Sequence, residues 1–422
     1  GRNLCDPTPI SVGGSQQVVI TNTTGSQKGR LTVNVSAGGN NQIRIQLNGK
    51  DIGTLNVRIL DYCKAGQDSG TYLLDNLKVD GGKDTITIQN VSGETARLDY
   101  VSMAWEKAIP LSPLSGKHPT ATYVKNITNQ DLPADGQADL VIIVPSSGAL
   151  LKQAQRLKEF HESHDGMRVN IVAADQLYNE FSSGTPDANA YRRYLRMLQD
   201  RAATEADMPK YLLLFGDCVW DNRMLTADCK RVDRDDYLLV YESENSFSET
   251  TCYAGDSWMG ILAEGAGSDA RRELQDVGVG RFPVTTVAEA KIMVDKTINY
   301  SKNQNGGAWQ NTIMFMGDDG NDNIHMKDVD SVANSVGRDY PNFLIKKVMW
   351  DAYTRESSAT GNTYPEVSKI IRQQQANGAL VMDYGGHGSA TLISHESVLG
   401  LSDFSESRTS NLPLWVTAAC DI

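Results

Sequence analysis

Two short stretches near the end of the chain decide how its fold is interpreted. Residues 384–389 read YGGHGS and follow an apolar run, and residues 414–419 (LWVTAA) form a second apolar run directly before Cys420. We expect both runs to be buried parallel strands, so that His387 and Cys420 lie at the same carboxyl edge of a sheet. An imidazole beside a thiol can take the thiol proton and later return it, which is the minimal requirement for covalent acyl transfer.

The residues around this pair favour the same interpretation. Gly386 and Gly388 flank His387 and permit a sharp turn, and the amide of Gly388 could serve an oxyanion. The spacing of 33 residues (420 minus 387) leaves room for a crossover between neighbouring strands. Taken singly, a cysteine at a strand end is usually a small buried hydrophobe, and a Gly-flanked histidine is usually a turn residue. Their shared place at one sheet edge favours the catalytic interpretation.

Two carboxylates are predicted at the same edge. Asp318 and Asp319 follow the apolar run 312–316 (TIMFM) and precede Gly320. Either carboxylate could orient the imidazole and stabilise its protonated form. Alternatively, the pair only forms a glycine turn or caps a helix. His325 follows this turn and is a further candidate for a substrate-facing or supporting role.

The composition is that of an acidic globular protein. The chain has 422 residues, 40% of them hydrophobic, which predicts roughly two to four domains with buried cores. A net charge of -12 and the lack of a Lys/Arg-rich stripe disfavour nucleic acid as a partner. The sequence contains no apolar run of about 18 residues, and its first residues do not form an export signal. We therefore expect such a signal to have been removed or never to have been present.

The cysteines leave two interpretations open. Cys5 and Cys63 lie in the first hundred residues, and they either form a disulfide or are two buried thiols. A disulfide would imply an oxidising compartment. Spacing of the C-x-x-C kind is absent, so we expect no zinc site.

The hydrophobic pattern divides the chain into three domains. Short alternating runs over residues 17–107 predict an all-β sandwich, and residues 110–117 (PLSPLSGK) read as a linker. Continuous apolar runs and helical stretches follow and predict two α/β subdomains. The predicted domains are residues 1–117, 118–305 and 306–422. The predicted strands of the α/β part are 139–145, 211–216, 312–316, 379–384 and 413–419, and its helices are 148–163, 187–204, 285–302, 326–336 and 364–376.

The sequence resembles the gingipain family of cysteine peptidases. The resemblance rests on residues 384–389, on their spacing to Cys420 and on residues 315–320 (FMGDDG), and it covers about residues 120–422. It implies a caspase-like α/β fold with mostly parallel sheets flanked by helices. Cys420 would be the nucleophile, His387 the general base and later acid, and the amides of Gly388 and Cys420 the oxyanion hole. Asp319 would be the acidic partner, with Asp318 as the alternative.

Within that family, three segments resemble the sortases of type IX secretion: residues 97–101, 277–283 and 318–326. The resemblance implies protein substrates with C-terminal secretion signals, a lipopolysaccharide amine as acceptor and contact with other secretion components. It also implies a location at the outer-membrane surface of a Gram-negative bacterium. The resemblance implies no cofactor, and it leaves open whether a structural calcium ion is bound.

The sequence leaves two alternatives to a sortase open and disfavours a third. One is a general secreted gingipain-like endopeptidase, and another is an adhesin or docking module on a degenerate peptidase fold. A nucleotide-binding enzyme is disfavoured because residues 265–268 (GAGS) match neither phosphate-binding motif. Since domains of this family continue past their nucleophile and this chain stops at Ile422, we expect it to be incomplete and to show weak turnover alone.

Overall fold

The computed structural model describes most of the chain. The described residues are 5–107, 122–123, 126–127, 129–243, 246–248, 251–268, 272–359, 361–407 and 409–420, so the predicted linker at 110–117 lies outside them. They belong to two compact units, residues 1–292 and 293–422. The predicted border between the two α/β subdomains, after residue 305, lies 13 residues beyond this division (305 minus 292). No helix among the described residues has the length and apolar character needed to cross a membrane.

The first unit begins with an all-β sandwich, as the alternating pattern predicts. Its two antiparallel sheets have the strand orders β1-β6-β3-β4 and β5-β2-β7. Alternate side chains of the inner strands are fully buried, such as Leu31 and Val33 in one sheet and Ile43 and Ile45 in the other. Each such side chain contributes about 1.5–3 kcal/mol by leaving water. The strands are β1 (Ser15–Thr21), β2 (Gly29–Ala37), β3 (Asn41–Leu47), β4 (Lys50–Val57), β5 (Gly66–Leu74), β6 (Lys83–Ser92) and β7 (Ala96–Trp105).

The rest of the first unit is an α/β layer around a parallel sheet of order β13-β10-β8-β9. Every residue of β8 is buried, because helices cover the sheet. Tyr191, Tyr194, Leu195 and Leu198 of α3 form the buried face that the sequence predicts. The elements are β8 (Leu140–Val144), α1 (Leu151–His164), β9 (Val169–Ala173), α2 (Ala174–Phe181), α3 (Asn189–Asp200), β10 (Tyr211–Phe215), β11 (Tyr241–Glu242), β12 (Ala254–Gly255) and β13 (Gly278–Phe282).

The disulfide considered between Cys5 and Cys63 is wrong. The two cysteines are not joined, and both are half-buried. Cys5 lies in the sandwich, where its Sγ is 3.0 Å from the hydroxyl of Ser36. Cys63 instead forms an antiparallel bridge with Ser248 of the α/β layer. The two cysteines do not pair because the fold brings each of them to a different partner. Their spacing along the chain does not reveal these partners.

The second unit holds a four-stranded parallel sheet of order β15-β14-β18-β22. Helix α4 (Val287–Ser301) spans the division between the units. The other elements are β14 (Thr312–Gly317), α5 (Gly320–Asp339), β15 (Leu344–Met349), β16 (Glu356–Ser358), β17 (Gly361–Thr363), α6 (Pro365–Asn377), β18 (Val381–Gly385), β19 (Gly388–Ser389), β20 (Leu392–Ile393), β21 (Leu399–Gly400), α7 (Leu401–Glu406) and β22 (Leu414–Ala418).

The strands of this sheet differ in burial. All six residues of β14 are buried, whereas Leu414 and Val416 of β22 are exposed by 61% and 43%. The expectation that residues 413–419 form a buried strand is therefore wrong for the side chains, although the strand itself is present. The physical reason is position: β22 lies at the edge of the sheet and pairs with β18 alone among the described strands.

Candidate active site

The register of three parallel strands brings the predicted catalytic residues to one sheet edge. Gly385 at the end of β18 pairs with Ala418 at the end of β22, and the N–H of Gly386 donates to the Ala418 carbonyl at 3.1 Å. His387 and Cys420 each follow this pair by two residues. Since paired strands run about 4.8 Å apart, the backbones that carry the imidazole and the thiol are neighbours. Cys420 is exposed, so its sulfur is open to a substrate.

Asp318 ties the His387 turn to the next strand. It directly follows Gly317 of β14, which pairs with Gly385. Its Oδ2 accepts hydrogen bonds from the backbone N–H of His387 at 2.6 Å and from the hydroxyl of Tyr384 at 3.0 Å. The same hydroxyl lies 2.7 Å from the His387 carbonyl. Strand ends and turn are thus joined through one buried carboxylate.

The second oxygen of Asp318 holds His325. Nδ1 of His325 lies 2.5 Å from Oδ1, so this nitrogen carries a proton, because a carboxylate only accepts. Burial alone would raise the pKa of Asp318, but the hydrogen bonds from His325, His387 and Tyr384 lower it below the ordinary aspartate value. The carboxylate is consequently charged at neutral pH.

Asp319 has a different surrounding. Its Oδ2 accepts a hydrogen bond from the hydroxyl of Tyr364 at 2.7 Å and lies 3.9 Å from the guanidinium of Arg355. Burial and this hydrogen bond raise the pKa of Tyr364. Asp318 thus contacts the His387 turn, whereas Asp319 contacts Tyr364, the residue directly before helix α6. That Asp319 is the acidic partner of His387 stays a prediction. The hydrogen bond to the backbone of His387 is made by its neighbour, Asp318.

The start of α5 brings His325 to this edge. Asn321, Asp322 and Asn323 have left-handed backbone angles, with φ of 51°, 54° and 63°. Asn and Asp tolerate this region better than other non-glycine residues. After this turn His325 faces Asp318, and its Nε2 lies 3.2 Å from the Asn321 side-chain amide. The sequence predicts a turn at residues 317–320, but not the left-handed backbone at 321–323 that follows it.

The ring of His387 is held by packing. A Cβ on Gly320 would lie only 2.5 Å from Cδ2 and 2.7 Å from Nε2 of His387, so the ring edge lies directly over this glycine. His325 contacts the ring at a centroid distance of 4.9 Å and an angle of 82°, and His395 stacks on it at 4.1 Å and 9°. Across the described ranges, neither ring nitrogen of His387 makes a hydrogen bond.

The predicted oxyanion donors lie on both sides of this edge. Gly388 opens the short strand β19, which pairs with β20, and the N–H of Ser394 donates to the His387 carbonyl at 2.9 Å. The amide of Cys420 follows the end of β22. Both amides follow the ends of parallel strands at the carboxyl edge, Gly388 in β19 and Cys420 in a turn, and their role as oxyanion donors stays a prediction.

Sequence reasoning missed His395 and Tyr364. His395 lies in the polar tetrapeptide SHES between the apolar pairs at 392–393 and 398–399, which reads as an ordinary turn. Tyr364 precedes Pro365 at the start of a helix, where a tyrosine carries no particular signal. Neither spacing nor composition relates these residues to His387 or Asp319, so the sequence offered no means of finding them.

The fold is similar to those of known cysteine peptidases. The dimeric latent PorU of Porphyromonas gingivalis matches with a TM-score of 0.56 and 22% identity, over 73% of this chain and 38% of that chain. The Arg-specific cysteine proteinase gingipain R (RgpB) matches with a TM-score of 0.45 and 17% identity, over 69% of this chain and 56% of that chain. No curated protein matches the sequence.

The likeness to PorU shows the fold, and the match to a family model shows the family. The chain spans well under half the length of PorU. The likeness to PorU confirms the expected gingipain-like α/β fold. The model of Peptidase family C25 matches residues 133–422, which include Asp318, His387 and Cys420. This match covers more than half of the chain and agrees with the resemblance found in its His and Cys segments. The chain belongs to Peptidase family C25, the gingipain family of cysteine peptidases.

Proposed function

We propose that this chain carries the catalytic site of a cysteine peptidase of the sortase type, which removes a C-terminal secretion signal from exported proteins. The observation that carries the proposal is the register of β18 and β22, which puts Cys420 and His387 on adjoining strand ends. The sortase part is supported by the resemblance of residues 97–101, 277–283 and 318–326 to type IX sortases and by the likeness of the fold to PorU.

The proposed reaction uses residues of this edge. His387 takes the proton of Cys420, and the thiolate attacks the carbonyl carbon of the scissile peptide bond. The amides of Gly388 and Cys420 would stabilise the resulting oxyanion. His387 then returns its proton to the leaving amine as the carbon–nitrogen bond breaks, which leaves a thioester on Cys420. The released segment is the secretion signal.

The fate of the thioester distinguishes a sortase from an ordinary endopeptidase. In the proposed reaction, a lipopolysaccharide amine attacks the thioester, its proton passes to His387, and the thiol of Cys420 is regenerated. Water would give hydrolysis by the same steps. The proposed setting is the outer-membrane surface of a Gram-negative bacterium, together with other components of type IX secretion.

The native cell provides the test. We expect Cys420→Ala in the full-length protein to yield cargo that keeps its C-terminal signal and lacks surface attachment. Cys5→Ala, which changes a half-buried thiol of the sandwich, is the matched control and should leave processing intact. Normal processing in the Cys420 variant refutes the proposal. Cargo that is cleaved by the wild type but carries no lipopolysaccharide indicates an endopeptidase.

A chemical test separates an enzyme from a degenerate peptidase fold. We expect iodoacetamide at neutral pH to label Cys420 of the full-length protein faster than a model thiol, because a neighbouring imidazole raises the thiolate fraction. His387→Ala should slow this labelling. A rate equal to that of the model thiol in both proteins would mean that the thiol is not activated.

A further inference from the structure

The imidazole rings of His325 and His395 both contact the ring of His387. The plane of His395 is nearly parallel to that of His387, at 9° and with ring centroids 4.1 Å apart. His325 approaches at 4.9 Å and 82°, so it meets the ring by an edge. Gly320 lies beneath the Cδ2–Nε2 edge of His387. These three contacts surround the ring of the proposed general base.

The orientation of this ring needs an explanation. The backbone of His387 is fixed by Asp318 and Ser394, but its ring nitrogens have no hydrogen-bond partner within the described part of the chain. The last side-chain torsion of histidine is broad, because it joins an sp³ to an sp² carbon. Hydrogen bonds to the backbone therefore do not decide how the ring is turned about this torsion. The aromatic contacts are left to decide it.

The loop that carries His395 is anchored to His387 itself. Ser394 is buried, has a left-handed φ of 68°, and donates its N–H to the His387 carbonyl at 2.9 Å. Ile393 before it and Val398 after it belong to the hydrophobic core of the second unit. The loop thus has two buried ends and one hydrogen bond to the residue on which its own histidine stacks. His395 itself is exposed, so its ring is held by the anchored loop and by its stack on His387, and not by burial.

We propose that His395 is a positioning residue for the general base: its ring covers one face of the His387 imidazole and fixes the plane in which His387 meets the thiol of Cys420. The role depends on an aromatic ring at position 395 and not on its titration. Stacked aromatic pairs contribute about 0.5–1.5 kcal/mol beyond the area they bury, which is enough to select one ring orientation. This inference rests on the proposed acyl-transfer function.

The test compares three variants of the full-length protein. His395→Ala removes the ring, His395→Phe keeps one, and His164→Ala is the control, because His164 stacks on Phe160 at 4.7 Å in the first unit. The rate of Cys420 labelling by iodoacetamide is measured by mass spectrometry of the Cys420 peptide. We expect roughly a 2-fold to 10-fold loss in His395→Ala, because this is the change in rate to which about 0.5–1.5 kcal/mol of stacking corresponds. His395→Phe and His164→Ala should stay close to the wild-type rate.

A second measurement keeps the outcome independent of the proposed function. In protein with isotope-labelled histidine, the ring-current shift of the His387 Cδ2–H resonance should be lost in His395→Ala and kept in His395→Phe. Unchanged shifts and unchanged labelling in His395→Ala would overturn the inference. Equal losses of labelling in the Phe and Ala variants would also overturn it, since they would show that the imidazole itself is needed. Failure of the wild type to show an activated thiol, with the shifts as expected, overturns the proposed function alone.

Discussion

The carboxylate of Asp318 accepts a hydrogen bond from the backbone N–H of His387 at 2.6 Å, which joins the turn after β18 to the end of β14. The same carboxylate accepts from Tyr384 and His325. It also accepts from the backbone N–H of Gly320 at 3.2 Å, so that four hydrogen bonds stabilise the charge of this almost completely buried group. The turn that carries the proposed base therefore depends on one aspartate.

Replacing this carboxylate should destabilise the second unit. We expect Asp318→Asn to lower the free energy of unfolding by about 2–3 kcal/mol, because an amide cannot accept all four hydrogen bonds and the charge that strengthens them is lost. Urea unfolding measures the change. Asp330→Asn, which breaks an exposed ion pair with Lys347, is the control and should leave the midpoint unchanged. Equal midpoints for both variants would contradict the role of Asp318.

Activity measurements can distinguish the roles of Asp318 and Asp319. We expect Asp318→Asn to reduce the rate of Cys420 labelling and of peptide cleavage much more than Asp319→Asn does, because within the described residues Asp318 hydrogen-bonds to His387 and Asp319 hydrogen-bonds to Tyr364. Both are compared in the full-length protein at neutral pH. A larger loss in Asp319→Asn would instead favour the acidic partner that the family resemblance predicts.

Asp318 also predicts how stability depends on pH. Hydrogen bonds hold the pKa of Asp318 below the ordinary value of 3.8. A lowered pKa means that its contribution to stability is fully present above this ordinary value and is lost as the pH falls through the folded-state pKa. We expect Asp318→Asn to lose less stability than the wild type between neutral pH and the acid range below 3.8. Parallel stability curves for both proteins would show that the carboxylate is not responsible.

A methyl group on Gly320 should displace the base without unfolding the protein. The added Cβ would lie 2.5 Å from the His387 ring, and the ring can move because it is the end of a side chain. We expect Gly320→Ala to reduce turnover by roughly 100-fold with little change in melting temperature. Gly136→Ala, where an added Cβ meets nothing within 4 Å, is the control. Normal turnover in Gly320→Ala would show that catalysis does not depend on this position of the His387 ring.

The first unit contains a buried ion pair with a large expected effect. Both oxygens of Asp256 pair with Arg281, whose side chain is 9% exposed and also donates to the carbonyls of Gly216 and Leu239. We expect Arg281→Met to cost about 3–5 kcal/mol, because Asp256 stays behind as an uncompensated charge. Denaturant unfolding checks this value. Arg338→Met, which removes an exposed pair with Asp339, should have no comparable effect.

Much of the fold could be predicted because burial leaves a periodic pattern. The continuous apolar run at 211–216 corresponds to β10, and the apolar face at 187–204 corresponds to α3. The prediction of strands failed where the apolar run is interrupted or has no clear end. Two lysines break the apolar run of β15, and β9 passes into α2 without a glycine or proline between them. Neither of these strands was predicted.

The place of the candidate site could be predicted from the sequence, but its contacts only in part. A histidine and a cysteine at the ends of parallel strands could be placed on one edge, because every parallel strand ends on the same side of its sheet. The choice between Asp318 and Asp319 could not be made, since neighbouring residues point in different directions after the strand ends. His395 could not be found, because its contact with His387 arises from a loop that folds back across the edge.

The sequence by itself determined the parallel α/β class, the family, and the edge at which His387 and Cys420 lie, because apolar periodicity and the short glycine-rich motif are local properties of the chain. Only the tertiary structure decided which carboxylate contacts the His387 turn, which rings surround its imidazole and that Cys5 and Cys63 have different partners and form no disulfide. Those contacts join residues that are distant along the chain or turned by the backbone at one point. Their distances follow from strand register and left-handed turns, which the order of residues does not express.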